Sequence, residues 1–266
     1  GLHQPLGADA ALLTSRVRVK ATLSGQTDAG LEFGATGQLS AAGLDTGKAG
    51  TLFLAGTGWR LTMGDVEGAA ASANGQAALV GLTELGSWNN LTYIANGGTV
   101  FAGTTLPLQD TADPSARLSL TTPSGELFLS ATTPLNGTRA LSAGFKTADA
   151  PLRFGLGIER QGSASQTIGS VQVRHGPLSA KALYGVIRSG GASFPQWSGS
   201  LGFSSGPTTV TAFYADDSRL AGAAGARAAG LGFTRSLGAG IDLRGGAVRN
   251  LTTHANAFDL GLNFTF

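Results

Sequence analysis

The C-terminal end of the chain alternates between apolar and polar or small residues without interruption. The apolar set consists of Phe258, Leu260, Leu262, Phe264 and Phe266, and the other set consists of Asp259, Gly261, Asn263 and Thr265. Because successive side chains of a β-strand point to opposite faces, this pattern predicts a strand with one apolar face and one water-facing side. An aromatic residue at the end of the apolar face is typical of a strand that lies against lipid.

The same alternation recurs along the whole chain. Near the start, for example, Val17 and Val19 alternate with Arg16, Arg18 and Lys20. The segments are mostly about eight to twelve residues long, close to the length that a tilted membrane-spanning strand needs. The fifteen predicted strands are 13–24, 30–39, 49–55, 58–65, 115–122, 125–132, 138–147, 151–160, 166–175, 178–188, 195–204, 208–216, 226–236, 240–249 and 254–266.

The links between these strands are of two kinds. Tight turns rich in Gly, Pro, Ser and Asp form every other link, counted back from the C-terminus. The intervening links include the longer segments 41–48, 66–114, 189–194 and 217–225. Short turns at one rim and longer loops at the other are typical of bacterial outer-membrane barrels, in which the turns lie in the periplasm.

The sequence therefore predicts an all-β protein, a transmembrane antiparallel β-barrel that spans residues 1–266 as a single domain. Fifteen strands is an odd number, whereas single-chain bacterial barrels have an even number. We therefore expect about sixteen strands in the intact barrel. In this interpretation residues 1–10 are the remains of an external loop, and a first strand is missing before Gly1. A barrel of this size leaves an aqueous channel.

Composition argues against other architectures and partners. The chain has 42 Gly, 13% charged residues and no Cys, and it contains no apolar run of about 18 residues that would predict a membrane-spanning helix. A closed barrel is the other structure that satisfies all backbone polar groups inside a membrane. A net charge of +2 without a long basic run argues against nucleic acid as a partner. The first ten residues lack signal-peptide features, so an exported chain would already have lost that segment.

Two segments and the last strand also carry a family resemblance. The segments are GLHQPLGADAALLTSRVRVKATLSGQTDAGLEFGATGQLS at 1–40 and TLFLAGTGWRLTMGDVEG at 51–68. They resemble the general diffusion porins of the alphaproteobacterial, Rhodobacter-like type, which are sixteen-stranded outer-membrane barrels. The last strand is similar to the C-terminal assembly signal of such barrels. The long segment 66–114 follows the fourth predicted strand, hence the fifth if a first strand is missing, and this position resembles that of the third loop of these porins. The Pro-Glu-Phe-Gly-Gly-Asp motif of enteric porins is absent, which separates the chain from that branch.

The resemblance implies a homotrimer in the bacterial outer membrane, with lipid and lipopolysaccharide around it and small hydrophilic solutes passing through it. It also implies that 66–114 folds into the barrel as a constriction loop that faces a basic wall. The matching positions are Asp65, Glu67 and Glu84 on the loop side and Arg16, Arg18, Lys20 and Arg60 on the wall. So few acids argue against a strong transverse field and against the calcium that the resemblance would allow on the loop. No cofactor is expected.

The residues Arg16, Arg18 and Lys20 share one face of the first predicted strand. On a lipid-facing surface each charge would cost about 2–4 kcal/mol at the bilayer midplane, so this face must meet water. One interpretation is an ordinary solvated face of an amphipathic strand. The other is a ladder on the pore wall that attracts anions. Given a barrel, we favour the ladder.

Alternation also predicts which other charges face the lumen. The further inward bases are Arg60, Arg117, Arg153, Arg174, Lys181 and Arg244, and the inward acids are Glu32, Glu126, Glu159, Asp242 and Asp259. Many of them are expected to neutralise one another as ion pairs on the wall. The bases outnumber the acids, so we expect a weak preference for anions.

Aromatic residues are candidates for the belts that flank the apolar band of a barrel. The candidates are Trp59, Trp88, Trp197, Tyr93, Tyr184 and Tyr214. Of these, Trp88 lies in the long segment, where we expect it to pack the loop against the wall.

Catalysis has little support in the sequence. The histidines are His3, His175 and His254, and no pattern places a nucleophile beside any of them, so no catalytic residue is assigned. The Gly-x-Gly stretches at 155–157 and 230–232 lack the helix and the lysine of a phosphate loop. We expect them to allow close strand packing or a bend in the barrel wall. No His or Cys cluster indicates a metal site.

The predicted function is a passive diffusion channel for small hydrophilic solutes and ions. Two alternatives stay open at this point. One is a substrate-specific or plugged outer-membrane barrel that serves as a structural partner in a membrane complex. The other is a soluble β-sandwich or adhesin-like β-solenoid, since Gly-rich alternating strands occur there as well.

Overall fold

The computed structural model describes residues 1–4, 10–42, 45–83, 85, 90–94, 115–132, 138–218 and 227–266. These residues form seventeen strands and one short helix. The strands are β1 (Leu2–Gln4), β2 (Leu12–Leu13), β3 (Arg16–Gln26), β4 (Glu32–Ala42), β5 (Asp45–Gly56), β6 (Trp59–Gly64), β7 (Ser115–Thr122), β8 (Gly125–Thr132), β9 (Ala140–Thr147), β10 (Leu152–Gln161), β11 (Ala164–His175), β12 (Leu178–Ser189), β13 (Ala192–Ser205), β14 (Thr208–Asp217), β15 (Arg227–Gly238), β16 (Ile241–Asn250) and β17 (Asn256–Phe264), and the helix is α1 (Ala69–Asn74). Each of the fifteen predicted strands overlaps one of the strands from β3 to β17.

All of these strands belong to one closed sheet. From β3 to β17 each strand pairs antiparallel with the next one along the chain. The short strand β1 closes the ring, because Leu2 lies opposite Leu260 of β17 on one side and Leu13 of β2 on the other. Only two residues separate β2 from β3, and both belong to the same wall strand of the barrel. The seventeen strands therefore occupy sixteen positions around the ring. The structure therefore confirms the predicted antiparallel barrel of about sixteen strands.

The prediction for the first ten residues was wrong in part. Residues 1–10 were expected to form the remains of an external loop, but Leu2–Gln4 is a strand of the wall. Three residues are too few for a period of two to be recognised in a sequence, which is why the pattern did not indicate this strand. That a further strand precedes Gly1 stays a prediction.

Two links are shorter than the sequence indicates. The link at 189–194 is a two-residue turn, because β12 and β13 remain paired up to Ser189 and Ala192. Gly190 and Gly191 both have positive φ, at 59° and 81°, which suits the tight turn of a β-hairpin. In the same way, β4 and β5 pair up to Ala42 and Asp45, so most of the predicted link 41–48 belongs to strands.

The two rims of the barrel still differ. At one end, the turn rim, the strands are joined by short turns such as 123–124, 176–177 and 206–207. At the other end, the loop rim, the connections include 65–114, 133–139 and 218–226. Longer loops lie on the extracellular side of bacterial barrels, so the loop rim is the extracellular end.

The only helix within the described ranges, α1, is six residues long. No helix formed by the described residues has the length and apolar character needed to cross a membrane.

The outer face of the barrel is apolar. On β10 the outward residues are Leu152, Phe154, Leu156 and Ile158, with exposed fractions between 48% and 58%. The inward residue Glu159 of the same strand is 3% exposed. Exposed apolar side chains at every second position are what a lipid-facing wall requires, and a mean hydropathy of only +0.12 follows because the other half of each strand faces inward.

Two adjacent substitutions test the assignment of faces. Ala21 and Thr22 lie in the middle of β3, and both are exposed, the first toward lipid and the second toward the lumen. We expect Ala21→Arg to lower the free energy of unfolding by about 2–4 kcal/mol, because it places a charge in hydrocarbon. We expect Thr22→Arg, the matched control, to change it by less than about 1 kcal/mol. Urea unfolding in lipid vesicles measures both, and equal losses would contradict the assignment.

Candidate functional site

The chain turns into the barrel directly after β6. The backbone N–H of Asp65 donates to Gly50 O at 2.9 Å, and its carboxylate oxygen Oδ2 accepts from Gly50 N–H at 2.6 Å. Asp65 therefore ends the pairing of β5 with β6 and directs the next residues inward. This predicted constriction residue is placed against the strand backbone.

The helix α1 lies flat against the inner faces of β8, β9 and β10. Its first amide groups have no partner within the helix, as at any helix start. Instead, Ala69 N–H donates to Ser130 Oγ and Ala70 N–H donates to Ser142 Oγ, each at 2.8 Å. Two serines of the wall thus bind the beginning of the helix.

Glycines of the wall allow this close approach. A Cβ atom built at Gly157 would lie 2.5 Å from Ala70 Cβ, and one built at Gly144 would lie 2.4 Å from Ala69 O. At Gly155 the built atom would lie 2.7 Å from Ala73 O. Such distances are too short for any side chain, so only glycine fits against the alanine-rich helix. The sequence predicted close strand packing or a bend at 155–157, whereas the structure places the helix α1 of the inward loop against these glycines.

Two buried glutamines hold the loop further along. The carboxamide oxygen of Gln196 accepts from Thr92 N–H at 2.9 Å, and that of Gln166 accepts from Ile94 N–H at 3.0 Å. Both carboxamide nitrogens donate to the carbonyl of Thr92. The Thr92 hydroxyl donates to Asp217 Oδ2 at 2.8 Å. This segment therefore has its backbone paired by side chains of β11, β13 and β14.

A third attachment joins the loop to the closing strands. The carboxylate of Asp259 accepts from both the backbone N–H and the hydroxyl of Thr83, at 2.6 Å and 2.7 Å. His3 Nδ1 lies 3.4 Å from the same hydroxyl. Nearby, a Cβ atom built at Gly261 would lie 2.6 Å from Leu82 Cδ2, so this wall position is again glycine because the loop lies on it.

Between these polar attachments the loop and the wall form a small apolar core. Tyr93 is 5% exposed, and its hydroxyl donates to Gly75 O at 2.6 Å. Burial raises the pKa of Tyr93 well above its usual range, and the nearby carboxylates of Glu159 and Glu67 add to this. The apolar residues around it include Ala70, Ala71, Ala77, Leu91, Ile168 and Leu183. The prediction that Tyr93 belongs to a lipid-facing belt was wrong, because it anchors the loop instead.

The described part of the loop does not cover the opposite side of the wall. On β3 nearly every residue is exposed on both faces: outward Val17 and Val19 are 63% and 59% exposed, and inward Arg18 and Lys20 are exposed as well. Arg16 at the loop rim is half-buried. Among the described residues, neither Arg18 nor Lys20 forms an ion pair. The three predicted ladder residues thus line a stretch of wall that the described part of the loop does not touch.

The predicted wall residue Arg60 lies in a separate notch beside the start of the loop. Its guanidinium carbon is 3.7 Å from the centre of the Phe53 ring, a cation–π contact. Arg117 donates to the carbonyl of Glu67 at 3.4 Å and to the hydroxyl of Ser72. The notch has a volume of about 460 Å³ and is lined by Arg60, Arg117, Lys146, Glu67, Glu126 and Phe128, among others.

The notch contains charges of both signs. Lys146 Nζ lies 2.9 Å from Glu126 Oε2. Elsewhere on the inner wall Arg244 pairs with Asp242 at 3.0 Å. These pairs agree with the expectation that part of the inward charge is neutralised on the wall. Lys146 and Phe53 were not predicted as lumen-facing residues. The alternation of the strands does indicate it, because each directly follows or precedes an outward residue, Phe145 or Leu54.

Two predictions about the loop remain untested. Glu84 and Trp88 lie outside the described residues. Within the described ranges, no group of three or more His, Asp or Glu side chains is placed to hold a metal ion. Calcium on the loop therefore stays a prediction.

A closed antiparallel barrel with an apolar exterior and a loop folded inside defines an integral outer-membrane β-barrel. A family model described as Gram-negative porin matches residues 6–255. The chain belongs to this family. The family indicates a channel rather than an enzyme and a location in the outer membrane. The predicted resemblance to alphaproteobacterial porins is confirmed, and the soluble alternative is wrong.

Individual relatives agree with this assignment. A porin of Rhodobacter capsulatus is 45% identical to this chain over 73 residues, which are 27% of this chain and 24% of the relative. The matched segment thus spans about a quarter of that curated relative. Two mutants of the porin of Rhodopseudomonas blastica have the same fold, each with a TM-score of 0.75 over 100% of this chain and 96% of theirs. They are 16% and 15% identical to this chain.

Filling one glycine should detach the helix from the wall. In Gly157→Val the new side chain meets the backbone of α1, so the helix must move toward the middle of the lumen. We expect a lower single-channel conductance with more open-channel noise. The control is Gly169→Val on the outer face of β11, where a Cβ atom would have no neighbour closer than 3.7 Å. Unchanged conductance in both variants would mean that the helix does not border the conducting path.

Proposed function

We propose that the protein is a passive diffusion pore for small hydrophilic solutes and ions, with a weak preference for anions. The observation that carries the proposal is the exposure of β3 on both of its faces. A wall strand that meets lipid on one side and water on the other requires a water-filled lumen. The loop, as far as it is described, lies against β8 to β17 and leaves that part of the lumen open.

The selectivity follows from the distribution of charge. Arg16, Arg18 and Lys20 supply three positive charges on the inner face of β3, where Arg18 and Lys20 are exposed and Arg16 is half-buried. The loop acids near the wall have other interactions: the Asp65 carboxylate binds the Gly50 amide, and the charge of Glu67 acts on nearby Arg117. Salt screens charges over about 8 Å at physiological ionic strength, so in a wide aqueous lumen the resulting preference for anions is weak.

The attachment of the loop to the closing strands argues against catalysis. The arrangement of Thr83, Asp259 and His3 contains the residue types of a hydrolytic triad, but the contacts are different. In a triad the carboxylate orients the imidazole, which takes the proton from the hydroxyl. Here the hydroxyl donates directly to the carboxylate, so the group serves to hold the loop. The protein is therefore proposed to carry out no reaction.

By family resemblance we also propose a homotrimer surrounded by outer-membrane lipid and lipopolysaccharide. A plugged barrel, one form of the alternative left by the sequence, would cover the stretch of wall that is exposed at β3.

Planar-bilayer recordings test both conductance and selectivity. We expect stepwise conductance and, in a salt gradient, a reversal potential displaced toward that of the anion. The variant Arg16→Gln/Arg18→Gln/Lys20→Gln should reduce this displacement, because it removes three positive charges from the inner face of β3. The control Arg227→Gln/Arg235→Gln/Arg249→Gln removes the same charge from outward positions and should leave the displacement unchanged. Absence of conductance steps would favour the plugged barrel, and equal effects of the two triple variants would remove the ladder from the conducting path.

A further inference from the structure

The outward charges of the barrel are arranged unevenly. The outward-facing arginines of the described strands, and of the residue directly before β9, are Arg139, Arg160, Arg188, Arg227, Arg235 and Arg249. All except Arg235 lie at the loop rim, within about two residues of a strand end. Charge on the outer face is costly in hydrocarbon, so these side chains lie at the level of the lipid headgroups, on the extracellular side.

Two of these arginines stand in one row across three strands. Arg160 of β10 lies opposite Ser165 of β11, which lies opposite Arg188 of β12. Neighbouring strands are about 4.8 Å apart, so the two arginine Cα atoms are about 10 Å apart with a serine hydroxyl between them. Arg139 precedes Leu141, which lies opposite Arg160, and it is therefore a diagonal neighbour on the same face. All three arginine side chains are exposed.

No acid balances this cluster on its own part of the wall. The segment 138–205 contains two acids, Asp149 in a turn at the opposite rim and Glu159 inside the barrel. By contrast, Arg227 further around the rim is paired with the outward Asp216 at 3.5 Å. Among the described residues, Arg139, Arg160 and Arg188 have no carboxylate partner.

An apolar groove begins beneath Arg188. Its upper part, of about 510 Å³, is lined by outward Thr167, Gly169, Val171, Ala182, Tyr184, Val186 and Arg188, together with inward-facing Ser170 and Leu183. Val171 and Ala182 also line a second hollow of about 420 Å³, which continues toward the turn rim past Ala180 and Gly199. Small residues form the floor, while Leu156 and Tyr184 stand beside it with 58% and 57% of their surface exposed.

The length of the groove fits one leaflet. From Arg188 to Ala180 it follows eight residues of β12, which is about 26 Å of strand at roughly 3.3 Å per residue. With a strand tilt of about 40° this covers about 20 Å of membrane depth, enough for the acyl region of the outer leaflet, which is about 15 Å thick.

We propose that this face of β9–β13 is a binding site for a phosphorylated lipid of the outer leaflet. The phosphate binds between Arg160 and Arg188, with Arg139 and the Ser165 hydroxyl as further donors, and an acyl chain lies in the groove over Gly169 and Ala182. Guanidinium groups bind phosphate through paired, charge-assisted hydrogen bonds, and the absence of a nearby acid leaves them available for it. The proposal depends on the outer-membrane location and not on conductance, so a closed channel would leave it standing.

Native mass spectrometry of the detergent-solubilised protein tests the site. The probe is phosphatidic acid, and diacylglycerol with the same acyl chains is the uncharged comparison. We expect saturable binding of phosphatidic acid that weakens about tenfold or more in Arg160→Gln/Arg188→Gln. The control Arg235→Gln/Arg249→Gln, which removes two outward arginines elsewhere, should change binding less than about twofold. Diacylglycerol is expected to bind at least about tenfold more weakly than phosphatidic acid.

The groove has its own test. Gly169→Leu fills it without disturbing the arginines, because the space at Gly169 is open to an added side chain. We expect it to weaken phosphatidic acid binding and to leave the oligomeric state unchanged. Inorganic phosphate at millimolar concentration should not displace the lipid, since it lacks the chain. The proposal would be overturned by equal binding of phosphatidic acid to all variants or by its full displacement by free phosphate. Loss of oligomers in Gly169→Leu would also overturn it and would identify this face as a contact between protein chains.

Discussion

The structure depends on one constraint, which is that every backbone N–H and C=O inside hydrocarbon needs a partner within the protein. A closed antiparallel ring meets it, and Leu2–Gln4 completes the ring by pairing with β17 on one side and β2 on the other. Closure gives every strand a lipid face and an inner face. Sixteen positions around the ring make the interior wide enough to contain a folded segment as well as water.

That interior is asymmetric because of how the loop is held. Glycines such as Gly157 allow α1 to lie directly on the wall, and buried side chains such as Gln166 and Gln196 pair with the loop backbone at 92–94. Each such bond contributes about 1 kcal/mol, and a buried partner left unpaired would cost more. The described part of the loop is therefore fixed to one half of the wall, while Arg18 and Lys20 of β3 are exposed.

The sequence predicted the strands that are long enough to show a period of two, and with them the faces of β3, β10 and β17. It could not indicate β1, which has only three residues, or the role of Tyr93, whose surroundings come from the folded loop. The attachments of the loop join residues far apart in the chain: Thr83 and Asp259 are 176 positions apart. No local sequence pattern indicates a contact between positions so far apart. The Gly-x-Gly pattern at 155–157 indicated close strand packing or a bend, whereas in the structure the helix α1 packs there.

The most direct test of the two-faced wall uses thiol labelling, because the chain contains no cysteine of its own. Val19→Cys and Lys20→Cys place single thiols one residue apart on β3, in lipid and in the lumen respectively. In membranes, a water-soluble, membrane-impermeant thiol reagent is predicted to modify the cysteine at position 20 and to leave that at position 19 unmodified. Equal modification of both, or modification at position 19 alone, would contradict a water-filled barrel with this orientation of β3.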